Sequence, residues 1–135
     1  MDQDNIGSNA IEKFEGLTCV WAGDLTQDEL DAYIGVQEDA QGTPYIPFGR
    51  DLGTFADHDY LAVRATAEPE SLPDLLARMG FDHEREFFDA VRRDVNPSNQ
   101  FTCVIVYLNV APTPDIYRRR FAAGKLRFIG CWPSE

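Results

Sequence analysis

One segment constrains the fold more than any other, because it is almost uninterrupted in apolar residues. This segment, FTCVIVYLNV, spans residues 101–110 and is rich in β-branched and aromatic side chains. Such residues favour a strand, and a strand exposed on one face would alternate apolar with polar residues. The lack of alternation predicts a central strand that is covered on both faces.

Three further segments have the composition of strands, namely residues 17–22, 60–67 and 125–132. Because side chains alternate along a strand, the pattern also predicts which residues share a face. In the segment 60–67 the residues predicted to face one way are Leu61, Val63 and Ala65. In the last strand they are Leu126, Phe128 and Trp132.

Capping signals predict three helices between these strands. Thr26 and Glu29 have the spacing of a capping box at the start of TQDELDAYIG. Ser71 is the predicted N-cap of SLPDLLARMG, and Asp82 is the predicted N-cap of DHEREFFDAVRRD. The third helix is expected to stop at Asn96-Pro97, because the residue before a proline is disfavoured in a helix.

The two remaining segments carry weaker signals. Asn9 and Glu12 fit a capping box, so we expect a short helix over residues 9–15 within an N-terminal extension, residues 1–16. The main domain is then predicted to span residues 17–135. Glycine and proline punctuate residues 37–56, which predicts a long loop, or else a short helix or strand there. Loops of this length in small domains are often functional.

The order of elements defines the expected fold class. Strand, helix, strand, two helices and two strands predict a single compact α+β domain. Its sheet is expected to be mostly antiparallel, with about four strands and with helices packed on it.

Charge restricts the partners. The net charge is −11, and residues 1–75 hold 16 acidic against 3 basic residues, whereas residues 76–135 hold 7 against 9. An acidic surface repels nucleic acid and anionic membranes and favours a basic partner, although acidity can also serve solubility alone. No apolar run approaches the roughly 20 residues of a membrane span, and the first residues do not resemble a secretory signal. We therefore expect a cytoplasmic protein with reduced cysteines, which are Cys19, Cys103 and Cys131.

Motifs for catalysis, metals and cofactors are missing from the sequence. The chain has two histidines, His58 and His83, and it contains no HExxH, paired CxxC, GxSxG, P-loop or GxGxxG pattern. We therefore predict neither an enzyme nor a metal or cofactor site. The alternative is a small metal-assisted enzyme that uses the cluster Asp57, His58 and Asp59.

An ordered set of short motifs resembles a known family. Along residues 17–133 these motifs are VWAGDL, ELDAYI, FGRDLG, DHDYL, NQFTCVIVYLN and LRFIGCW. In this order they resemble the immunity protein 22 family of bacterial polymorphic toxin systems. The chain departs from that pattern in Cys131-Trp132-Pro133 and in the proline-containing connection over residues 106–120.

The resemblance implies a non-enzymatic antidote that binds and neutralises a cognate toxin domain, often a nuclease, in the cytoplasm. Nucleases that grip phosphate backbones carry basic grooves, so an acidic antidote can mimic the polyanion. The residues we expect to face the toxin lie in the long loop and around the Asp-His-Asp cluster. They are Glu38, Asp39, Tyr45, Asp51, Asp57, His58, Asp59 and Tyr60. Alternatively, Asp57 or Asp59 caps a local turn. Trp21 and Trp132 are expected in the core.

Overall fold

The computed structural model describes residues 9–134. Short 3-10 helices lie at His58–Tyr60, Phe81–His83, Pro114–Arg118 and Ala122–Gly124. The strands and α-helices follow in the order β1 (Ile11–Gly23), α1 (Gln27–Ile34), β2 (Gln37–Glu38), β3 (Pro44–Tyr45), α2 (Pro47–Leu52), β4 (Leu61–Ser71), α3 (Leu72–Arg78), α4 (Arg85–Asp94), β5 (Gln100–Pro112) and β6 (Leu126–Pro133).

Four strands form one antiparallel sheet in the order β4-β5-β1-β6, and β2 pairs with β3 in a separate small hairpin. The predicted fold class, an α+β domain with an antiparallel sheet of about four strands, is confirmed. β5 is one of the two central strands, as its apolar run predicts.

Both faces of the sheet are covered, which explains why β5 does not alternate between apolar and polar residues. Cys103, Ile105 and Tyr107 belong to a core that α1 and α2 complete on one face. Val104 and Val106 belong to a second core that α3 and α4 complete on the other face. The fold therefore has three layers, with the sheet in the middle.

Two of the three predicted helix caps are confirmed. The Thr26 hydroxyl accepts a hydrogen bond from the Glu29 amide at 3.2 Å, and the Glu29 carboxylate accepts one from the Thr26 amide at 2.9 Å. The Ser71 hydroxyl caps α3 by accepting from the Asp74 amide at 3.2 Å. Asp82 is wrong as the cap of α4, because it lies within a 3-10 helix. The N-cap of α4 is Glu84, whose side chain makes no capping hydrogen bond.

The helix predicted over residues 9–15 is also wrong. β1 begins at Ile11 and pairs with β5 from the outset, with Ile11 opposite Pro112. Ala10 and Ile11 are buried in the core, so tertiary pairing overrides the local capping signal. These residues therefore belong to the sheet, and the rest of the predicted extension, residues 1–8, lies outside the described part of the chain.

Register shifts in three strands, β1, β4 and β6, change which side chains share a face. In β4, residues 66–69 stand opposite the single residue Thr102 of β5. In β1, residues 14–17 stand opposite the single residue Asn109 of β5. In β6, Gly130 pairs with Val20 while Phe128 pairs with Trp21, which leaves Ile129 as the extra residue. Phe128 and Trp132 consequently contact opposite cores, so the shared face predicted for them is wrong. The shared face predicted for β4 is confirmed, because Leu61, Val63 and Ala65 all pack on the core beneath α1 and α2.

Candidate functional site

The loop predicted over residues 37–56 holds the β2–β3 hairpin and α2, and the Asp-His-Asp cluster contacts the end of α1, just before this loop. We call residues 57–60 the acidic turn. His58 Nε2 lies 2.6 Å from the carbonyl oxygen of Ile34, the last residue of α1. Val36 and the hairpin follow Ile34 directly along the chain. The predicted residues of the loop and of the acidic turn are thereby brought to one side of the molecule, in the layer of α1 and α2.

Asp57 has a structural role in the acidic turn. Its carboxylate accepts a hydrogen bond from the Asp59 amide at 3.0 Å, and its own amide donates to the Tyr107 hydroxyl at 2.9 Å. The alternative of a turn-capping carboxylate is therefore confirmed for Asp57. The side chains of Asp59 and Tyr60 remain exposed, with Tyr60 at 44%.

Asp51 points into the protein. Its carboxylate accepts hydrogen bonds from the Tyr33 hydroxyl at 2.6 Å and from the Ala122 amide at 3.0 Å, while Arg119 donates to its carbonyl oxygen at 3.3 Å. Burial, together with the adjacent carboxylate, raises the pKa of the Tyr33 phenol, so this group stays protonated and donates. Asp51 therefore joins α1, α2 and the segment before β6.

Asp39 also holds backbone in place, because its carboxylate accepts from the amides of Gln41 and Thr43, both at 2.9 Å. These bonds close the turn between β2 and β3. Glu38, one residue earlier, is exposed. The predicted carboxylates thus divide into three that position backbone, Asp39, Asp51 and Asp57, and two that face solvent, Glu38 and Asp59.

An apolar groove lies between the hairpin, α2 and residues 53–56, and we call it the hairpin groove. Its volume is about 570 Å³, and its lining includes Val36, Tyr45, Arg50 and Phe55. The Arg50 guanidinium lies 3.6 Å from the centre of the Tyr45 ring, so a cation–π contact supports one wall. Phe55 is 75% exposed and Val36 is 64% exposed, so two apolar side chains of one groove reach solvent together.

A second groove, the bulge groove, lies on the other side of the acidic turn. It has a volume of about 310 Å³, and Asp57 and Tyr60 line it together with Phe14 and Tyr107. The bulge of β1 presents Phe14, which is 53% exposed. Asn109, opposite the bulge, has a positive φ of 62° and accepts a hydrogen bond from the Gly16 amide at 3.1 Å. This contact fixes the backbone that carries Phe14.

Phe14, Val36 and Phe55 were not predicted as site residues. In sequence they resemble core residues, and Phe14 also lies in the segment predicted as a helix. Phe55 carried a weak signal, since it directly precedes ADHD in a segment rich in glycine and proline. The three side chains are exposed because they lie in a bulge and in connections between elements. These positions depend on strand pairing, which a local sequence pattern does not show.

Charge is concentrated in the same layer. Residues 24–60 hold nine acidic residues against Arg50 alone, a net charge of −8. Residues 72–94, which contain α3 and α4, hold six acidic against four basic residues, a net charge of −2. The layer that carries the hairpin groove and the acidic turn therefore also carries most of the negative charge.

The Asp-His-Asp cluster does not have the arrangement of a metal site. Within residues 9–134, no group of three or more His, Cys, Asp or Glu side chains could hold a metal ion. A hydrogen bond from His58 Nε2 to a carbonyl oxygen places the proton on this nitrogen, which then has no lone pair for a metal.

Compared with known proteins, the chain matches no family model, no curated protein and no solved structure. The resemblance to the immunity protein 22 family, carried by the ordered motifs, therefore stays a prediction. Between residues 9 and 134 no helix is both long enough and apolar enough to cross a membrane.

Proposed function

We propose that this chain is an antidote that binds and neutralises a basic bacterial toxin domain of the nuclease class, as members of the immunity protein 22 family do. One observation carries the proposal. The exposed side chains of Phe14 and Phe55 lie beside the acidic turn, which itself contributes the exposed Tyr60, and residues 24–60 of this layer hold a charge of −8. Exposed apolar groups next to uncompensated charge are typical of a protein-binding surface.

The two kinds of side chain have separate roles in this proposal. Negative charge raises the rate of encounter with a basic groove, and this effect weakens as salt is added. Glu38 and Asp59 are exposed, so they are the carboxylates placed to meet arginine and lysine. Phe14, Phe55 and Tyr60 supply apolar area, which slows dissociation once the surfaces meet.

The inward-facing carboxylates contribute by holding the surface in shape. Asp39, Asp51 and Asp57 bond backbone or side-chain groups of the same layer. A surface whose loops are already ordered loses less conformational entropy on binding. In this proposal these three residues increase affinity indirectly, because they position the backbone of the binding surface.

The function is tested by co-expressing the chain with the toxin domain encoded immediately upstream. We expect a stable complex in a pull-down and loss of nuclease activity in the complex. The same toxin assayed without this chain serves as the control. A toxin that stays fully active and does not co-purify would contradict the proposal.

The binding surface is tested by reversing its two exposed carboxylates in Glu38→Lys/Asp59→Lys. We expect the Kd for the toxin domain to rise at least about 10-fold at low salt, since close charge pairs at interfaces contribute about 1.5 kcal/mol or more. The matched control is Glu68→Lys/Asp89→Lys, which makes the same charge change at exposed positions of β4 and α4. Equal loss of affinity in both variants would show that net charge, and not this surface, determines binding.

A further inference from the structure

Two of the three cysteines lie directly opposite each other in the sheet. Cys19 of β1 pairs with Cys131 of β6, and both side chains pack on the core beneath α1 and α2. Both thiols also reach the same carbonyl oxygen, that of Val110, with Cys19 Sγ at 3.4 Å and Cys131 Sγ at 3.9 Å. The two sulfur atoms therefore converge on one point of the sheet.

This placement suits a disulfide without rearrangement of the strands. Residues directly opposite in antiparallel strands have Cα atoms about 4.5–5.5 Å apart, and disulfides usually join Cα atoms about 4.4–6.8 Å apart. Cys103 has no such partner, because Gly23 and Ala65 stand opposite it in the two neighbouring strands. The chain thus contains one thiol pair and one isolated thiol.

The two paired thiols differ in exposure and in acidity. Cys19 is fully buried, whereas Cys131 is half-buried on β6, which is an edge strand of the sheet. Contact with the Cys19 thiol lowers the pKa of the Cys131 thiol, while the same contact and burial raise the pKa of Cys19. Cys131 is therefore the thiol that a small oxidant in solution meets first, and its lowered pKa increases the fraction present as the reactive thiolate.

We propose that Cys131 and Cys19 form a peroxide-reactive dithiol that closes a reversible disulfide between β6 and β1. The Cys131 thiolate attacks one oxygen of hydrogen peroxide, the O–O bond breaks, and the other oxygen leaves as water after protonation. The resulting sulfenic acid on Cys131 is attacked by the sulfur of Cys19. The S–S bond forms, the S–O bond breaks, and the departing hydroxyl takes the Cys19 proton to leave as a second water molecule.

The disulfide would change the stability of the whole domain. It joins the part of β1 that follows its bulge to β6, so it closes a loop that contains almost the entire chain. A crosslink that closes a long loop restricts the unfolded state strongly. It also fastens the edge strand β6 to β1, its neighbour in the sheet.

The experiment treats the purified, reduced protein with hydrogen peroxide, alkylates the remaining thiols and measures intact mass and non-reduced peptides. We expect the mass of two hydrogen atoms to be lost, a crosslinked peptide pair containing Cys19 and Cys131, and Cys103 still alkylated. Oxidation should raise Tm by at least about 5 °C, and dithiothreitol should reverse the rise.

Variants make the result specific. The control Cys103→Ala should form the same disulfide, whereas Cys131→Ser should form none. Cys19→Ser should accumulate sulfenic acid at Cys131, which dimedone traps. The proposal is overturned if peroxide leaves Cys131 a free thiol, if it converts Cys131 to sulfinic acid without crosslinking, or if the disulfide joins two molecules instead of one. None of these measurements requires the toxin, so they stand independently of the proposed function.

Discussion

Asp51 shows how a single carboxylate can shape a surface without being part of it. Its partners, Tyr33 and Ala122, lie 18 and 71 residues away along the chain. A sequence shows that a carboxylate is present in a loop, but not whether distant donors meet it. Asp57 differs, because its acceptor role is local and turn chemistry identified it as an alternative.

The first prediction concerns Asp51. Asp51→Ala leaves the hydroxyl of the buried Tyr33 without its acceptor and removes one of the two acceptors of the Ala122 amide. We therefore expect the free energy of unfolding to fall by about 1–3 kcal/mol. Urea denaturation followed by circular dichroism measures the change. Glu38→Ala, a carboxylate truncation at an exposed position, should stay within about 0.5 kcal/mol of the parent protein. Comparable losses in the two variants would contradict the structural role of Asp51.

At the scale of elements, the sequence was informative where local chemistry and burial agree. The capping box of α1, the Ser71 cap of α3 and the uninterrupted apolar run of β5 each correspond to the element they predicted. The prediction failed at Asn9 and Glu12, where a capping pattern lies on a strand, because pairing with residues about 100 positions later is stronger than a cap. The bulge at Ile129 was missed for the same reason, since only the register of two strands defines it.

The second prediction compares Ser71, the cap of α3, with Asp82, the residue that the sequence predicted as the cap of α4. Ser71→Ala removes the acceptor of the Asp74 amide at the start of α3, and we expect a loss of about 1 kcal/mol in unfolding free energy. Asp82→Ala should change it by less than about 0.5 kcal/mol, because Asp82 does not cap α4. Thermal or urea unfolding of both variants under one set of conditions gives the comparison. A larger loss of unfolding free energy in Asp82→Ala than in Ser71→Ala would contradict this assignment of the caps.

At the scale of the whole molecule, the sequence indicated the uneven charge and the fold class, but not that charge and exposed aromatic groups share one layer. The halves of the chain differ in charge, with −13 over residues 1–75 and +2 over residues 76–135. The charge and the exposed aromatic groups lie on one side because the connection between β1 and β4 folds over a single face of the sheet. The arrangement of charge and aromatic groups in one layer therefore depends on the topology of the chain, which the sequence does not show directly.

The third prediction follows from this crowding of negative charge. Salt screens repulsion, and the screening length falls from about 30 Å at 0.01 M to about 3 Å at 1 M. We expect Tm to rise by a few degrees between about 0.01 M and about 1 M sodium chloride, as measured by scanning calorimetry.

The comparison variant is Glu38→Gln/Asp59→Asn, which removes two exposed charges from the same layer. This variant should have a higher Tm at low salt and a smaller salt dependence than the parent protein. A Tm that decreases with salt would mean that ion pairs such as Lys125 with Glu29 outweigh the repulsion.

The three-layer arrangement has a consequence for how such a chain evolves. α1 and α2 contact one core and α3 and α4 contact another, and the strands of the sheet lie between the two cores. Substitutions on the outer surface of the first layer can therefore accumulate while the second layer keeps the sheet folded. Under the antidote function proposed above, exposed positions of the first layer would change with the toxin, while the buried residues of both cores preserve the fold.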